Sequence, residues 1–161
     1  MGDVAAHEQT QRLVVTVAFP EHEPRHRSEE FVASRHHLID ELGVGCWIGG
    51  ATKADLEKGL PASHRCFGAT QLEAHHDMAE WAEWNGLDWH KYAQDFPTLG
   101  IHDDASFRAA AESENGLLIL CDKHHRAKNH GIHMTDYPSW KADRYAKDDW
   151  EFLPDPSGTL T

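Results

Sequence analysis

Two adjacent histidine pairs, His75-His76 and His124-His125, frame one segment of this chain, and the second pair follows directly on Asn115-Gly-Leu-Leu-Ile-Leu-Cys121. Imidazole binds metals and moves protons near neutrality. Fourteen histidines in 161 residues exceed what packing needs. A fold that uses the pattern must bring a strand end, a loop asparagine and the start of a helix together, which few small topologies do.

The length suits a single domain with one modest core. Its three cysteines, Cys46, Cys66 and Cys121, are too few and too odd in number for a disulfide framework. Reduced thiols used for packing or metal, in a cytoplasmic setting, are therefore expected. No apolar run approaches the ~20 residues of a membrane span, and Met1 to Thr10 lacks the regions of a signal peptide. The expectation is a soluble intracellular protein with no membrane partner. A formal net charge of -12 opposes a general DNA-coating role. Against that average, Lys123, Arg126, Lys128, His130 and His133 gather beside the second histidine pair as a local basic strip.

Val-rich Arg12 to Phe19 reads as a strand. Ser28 reads as the N-cap of a helix over Glu30 to Leu42, stopped by Gly43 and Gly45. Cys46 to Ile48 and Gln71 to His75 read as the two strands of a hairpin with an insertion, in which Ala54 to Lys58 forms a helical turn. Asp77 to Gly86 has the apolar spacing of a short amphipathic helix. Lys91 to Asp104 reads as irregular, and Ala105 to Ser113 as a short helix. Leu117 to Leu120 is too short to assign. Asp122 to Asn129 reads as a helix opened by an acidic residue and closed near Gly131. The tail after Pro154 has the composition of a disordered end.

In Cys46-Trp-Ile-Gly, Leu72-Glu-Ala-His-His76, Glu114-Asn-Gly-Leu-Leu-Ile-Leu-Cys-Asp-Lys-His-His125 and Gly131-Ile-His133, the chain resembles the HNH endonucleases, the ββα-metal or His-Me finger nucleases. The resemblance covers residues 45 to 140. It implies an α+β fold with a ββα-metal core, an added N-terminal strand and helix over 1–44, a helical insertion over 77–114 and a C-terminal extension over 141–161. The implied activity is hydrolysis of DNA phosphodiesters, with a divalent ion on the scissile phosphate and a general base activating water. By resemblance His76 is that base, His75 and His125 ligate the ion, and Asn115 pins the strand that carries the base.

On a helix His125 and Asn129 lie four apart on one face, which makes Asn129 the third ligand, with His130 as its neighbour if the helix ends early. On an ideal strand His75 and His76 point to opposite faces, so both reach one site only if the chain bends as the strand ends. Imidazole and amide ligands admit Mg, Mn, Ni or Zn. A second, structural zinc has Cys121 and His124 three apart on one helix face, Cys46 from the first strand, and Cys66 in place of the cysteine that the family carries where Gly49 stands here. His64 is the reserve ligand.

The bland alternatives are buried free thiols for the cysteines, packing for His36-His37, and core rather than base-stacking roles for Trp81, Trp84 and Trp89. The rival to a nuclease is a zinc-stabilised interaction module of the same fold that binds a protein or nucleic-acid partner without cutting. Small proteins of this family are often carried by phages and mobile elements, so the resemblance implies such an origin, with the host cytoplasm as compartment. A homodimer, or a phage or host protein partner, is the expected assembly beside DNA.

Overall fold

In the computed structural model, residues 19–135 together with Tyr137 and Trp140 are described. The expected strand before Phe19 and the expected extension over 141–161 lie outside these residues. What is described is a small α+β domain in which short helices surround one two-stranded antiparallel sheet.

Ser28 caps helix α1 (Glu29–His36), its hydroxyl accepting from the Phe31 amide at 2.9 Å. A π-helical turn over His37–Glu41 continues it, so the two together match the expected helix. Thr52 and Asp55 form a reciprocal capping box that starts α2 (Lys53–Lys58).

Strands β1 (Leu72–His76) and β2 (Leu117–Cys121) pair from Leu72 opposite Cys121 to His76 opposite Leu117. The expected hairpin is thus corrected on one side. Cys46 to Ile48 is a turn, tied to the backbone of β2 by a bond from the Trp47 amide to the Ile119 carbonyl, and the true partner of β1 is the apolar run 117–121. A run that is apolar at every position carries no alternation to mark it as a strand.

Between the strands lie a 3-10 turn (Trp81–Gly86), α3 (Trp89–Asp95), a second 3-10 turn (Pro97–Leu99) and α4 (Asp104–Glu112). Most of the segment expected to be irregular is therefore helical, with Asp88 capping α3 and Asp103 capping α4 through Ser106. This insertion buries its own cluster of Trp84, Ile101, Phe107, Ala110 and Ala111. The main core is a separate cluster that includes Phe31, Ile39, Ile48, Leu72, Leu120 and Trp140. The Ser28 hydroxyl donates to Glu112 at 2.6 Å and ties α1 to α4.

Helix α5 (Asp122–Arg126) follows β2 without a loop. Asp122 begins it, accepting from the Thr70 amide and hydroxyl, and an acidic residue suits a helix N-terminus. The helix ends three residues earlier than its sequence suggests. Ala127 leaves helical geometry and Asn129 takes a positive φ of 69°. The Gly131 amide then donates back to the Ala127 carbonyl, and a Cβ at Gly131 would stand 2.6 Å from the Arg126 backbone. Only glycine allows this close return.

Candidate metal centres

Cys46, Cys66, Cys121 and His124 converge in the main core, each at most 3% exposed. The His124 Nδ1 lies 3.1 Å from the Cys121 sulfur, 3.4 Å from that of Cys46 and 3.8 Å from that of Cys66. Sulfur and nitrogen on a common tetrahedral zinc, bonded at about 2.3 and 2.0 Å, stand about 3.5 Å apart. The four donors fit such an ion, and this Cys3His cluster can hold a metal such as zinc.

The electrostatics agree. The Cys46 thiol is held far below its ordinary value by hydrogen bonds from Cys121 and then Cys66, while Cys121 is driven far up by Cys46. The three buried thiols thus compete for ionisation, and a bound ion would favour the thiolate form of each. The ligands come from the turn at 46, the loop after α2, the end of β2 and α5. Trp140 donates from Nε1 to the His124 carbonyl at 3.0 Å and stacks on Trp47, bracing the helix backbone that carries the histidine. Cys66 takes the position proposed for it. His64 does not join the cluster, its Nδ1 instead accepting from the Cys66 amide at 3.1 Å.

A second cluster forms on the opposite face of the sheet. Residues Glu73 and His75, two apart on β1, share that face, and there His75 meets His125 and His133, with one ring nitrogen from each within 4.8 Å of the others. His75 is buried, His125 half-buried and His133 exposed, so the cluster opens to solvent on one side. Burial, followed by the charges of His133 and His125, pushes His75 down to about 3. Burial also lowers His125, partly opposed by Glu73, whose carboxylate lies 2.7 Å from its Nδ1. These shifts keep the imidazoles neutral, the form that binds metal. Glu73 fixes the His125 ring and leaves Nε2 as its binding atom.

The third ligand proposed from sequence is corrected here. Asn129 does not share a helix face with His125, because α5 ends at Arg126, and among the histidines it is His133 rather than His130 that joins His75 and His125. The return at Gly131 brings His133 back, with the Ile132 amide donating to the His124 carbonyl at 3.0 Å.

His76 lies outside the histidine cluster. Strand β1 stays paired through His76, so the bend that would unite both histidines in one site is absent. The His76 ring lies between Phe31, stacked at 5.2 Å, and Trp84, edge-on at 5.6 Å, at the seam of the two cores. It is 4% exposed, and neither ring nitrogen has a partner among the described residues. Burial, then the charge of Arg25, pushes it down to about 4.

Asn115 is exposed, and no hydrogen bond joins its side chain to β1 among the described residues. The link at this point is made by backbone, the Asp77 amide donating to the Gly116 carbonyl at 2.9 Å. Of the basic strip, Lys123 donates to the Arg65 carbonyl and Arg126 pairs with Glu73, while Lys128 is exposed. Trp84 is buried in the insertion core, and Trp81 and Trp89 pack against it, as their apolar spacing suggests. No described helix is long and apolar enough to cross a membrane.

Sequence reasoning passed over His133 as a ligand, and Glu73 and Glu80 as its companions. Alternation along β1 was signal enough for Glu73, since it shares a face with His75. Among known proteins, no family model, no curated protein and no solved structure matches this chain.

Proposed function

We propose that the protein is a metal-dependent nuclease of the HNH kind, in which β1, β2 and α5 form a ββα-metal core and the half-open histidine cluster holds the working ion. One observation carries the reading. The neighbours His124 and His125, about 100° apart on α5, serve two separate ligand sets, one closed by four protein donors and one open to solvent on one side. Structural zinc sites are closed, whereas catalytic sites keep a position for water or substrate.

A divalent ion at His75, His125 and His133 supplies charge to stabilise a phosphodiester oxygen and its leaving group. Three imidazoles favour Zn, Ni or Mn over Mg, which prefers oxygen donors. The chain's own part is to keep His75 and His125 neutral through burial and to orient the His125 ring through Glu73. In this reading His76 is the general base, kept neutral with a nitrogen free to accept a proton. This role requires β1 to unpair at His76 so that the ring can turn toward the cluster, and Trp84 or Phe31 to move aside before a substrate reaches it. Lys128 and the exposed rim of α5 face the incoming DNA, and a double-strand break needs two copies of the chain.

A non-cutting, zinc-stabilised interaction module is the second reading. It is favoured by the closed packing around His76 and by the internal engagement of Lys123 and Arg126. A supercoiled-plasmid nicking assay in Mg, Mn, Ni and Zn, with EDTA controls, separates the two. The nuclease reading expects metal-dependent nicking that His76→Ala and His125→Ala each reduce at least about 100-fold, the usual scale for losing a general base. Folded wild type that nicks in none of these ions favours the module.

A further inference from the structure

We infer that Glu80, supplied by the insertion, is a fourth protein ligand to the ion of the histidine cluster. This rests on reading that cluster as a metal site, and not on nuclease activity. Glu80 begins the 3-10 turn that follows β1, and its Oε1 stands 3.5 Å from Nδ1 of His75 and 3.7 Å from Nδ1 of His133. Both separations exceed the 2.7–3.2 Å of an N–H···O hydrogen bond. They match two donors on one ion, which at bond lengths of about 2.0–2.1 Å in tetrahedral geometry stand about 3.3 Å apart; only the three histidines of this site share one set within 4.8 Å, so the Glu80 carboxylate has to turn toward His125 as the ion binds. The contrast within the cluster is direct, because the Glu73 oxygen lies 2.7 Å from His125 and is a hydrogen-bond partner.

The charges also fit. Three neutral imidazoles leave a divalent ion uncompensated, and a carboxylate at its edge lowers the cost of holding it in a half-buried site. Glu80 has no lysine or arginine partner among the described ion pairs, whereas Glu73 is taken up by Arg126. The ion therefore binds to the hairpin, the helix, the loop after Gly131 and the insertion together. Glu80 is partly exposed, so a fifth ligand can join or take its place.

The test uses the full chain loaded with one equivalent of zinc, which fills the cysteine cluster, followed by titration with cobalt(II) read by visible absorption and calorimetry. Wild type is expected to take up one cobalt ion in a spectrum without sulfur-to-metal charge transfer. Glu80→Ala should weaken that ion by at least about tenfold and change its visible bands, and His133→Ala should weaken it further. Glu80→Gln keeps the side-chain shape and should fall between, and it decides the matter if the alanine variant fails to fold. Unchanged cobalt affinity and spectrum in the glutamine and alanine variants, or no second ion in wild type, overturns the assignment. Plasmid nicking is scored separately. A wild type that holds two ions yet never nicks removes the nuclease reading and leaves Glu80 in place, and an indifferent Glu80 in an active nuclease does the reverse.

Discussion

The two clusters use neighbouring residues for opposite ends. Around His124 every donor is buried and every direction is filled by protein; around His125 one of three rings is exposed and a carboxylate borders the site. The closed cluster ties together segments 46, 66 and 121 that share little secondary structure. The open cluster sits on elements already held by the sheet. The first should therefore govern whether the domain folds, and the second what the folded domain can do.

The largest expected effect breaks the closed side. Cys121→Ser removes a ligand from a site of a type worth about 10 kcal/mol or more in zinc-dependent folds. The variant should lose cooperative thermal unfolding and near-UV circular dichroism, with zinc content falling by one equivalent. His125→Ala is the matching cut on the open side. It should weaken the second ion at least about 100-fold in a metal titration while stability changes by no more than about 2 kcal/mol, since a partly exposed side chain is lost.

A finer test is Glu73→Gln, which keeps the shape but weakens the hydrogen bond to His125. Second-ion affinity should drop about 10- to 100-fold with the closed site untouched, as calorimetry would show. The smallest effect is reserved for Arg126→Ala. Its guanidinium is largely exposed where it meets Glu73, so unfolding free energy should shift by less than about 1 kcal/mol, and a larger loss in a denaturant titration would mean that the pair organises the open site.

How legible this was in the sequence varied with the kind of signal. The Cys3His set was readable because cysteines are few and Cys121-x-x-His124 has helix spacing. The cap at Ser28 and the helix up to Leu42 were readable from a hydroxyl followed by apolar periodicity. The partner of β1 is hidden in the sequence because Leu117 to Cys121, apolar at every position, has no alternation, whereas the turn at Cys46 resembles a short apolar strand. The third imidazole was hidden by a backbone event. A positive φ at Asn129 and the close return at Gly131 end α5 early, and nothing in side-chain pattern announces that His133 will fold back. The setting of His76 was not legible, because pairing continues through it opposite Leu117 and nothing in the side-chain pattern shows whether the strand bends there.

The peptide bond between His124 and His125 has a thermodynamic consequence. Two ions held by consecutive residues of one short helix would not bind independently, because an α5 loosened by loss of the first would present the second with a mobile donor. Binding at the two sites should be cooperative, and linkage makes that cooperativity reciprocal, so that whatever factor the closed ion adds to the open one's affinity is returned in full. Removal by a chelator would then proceed in order, the exposed ion leaving first and the buried one less firmly held once it has gone.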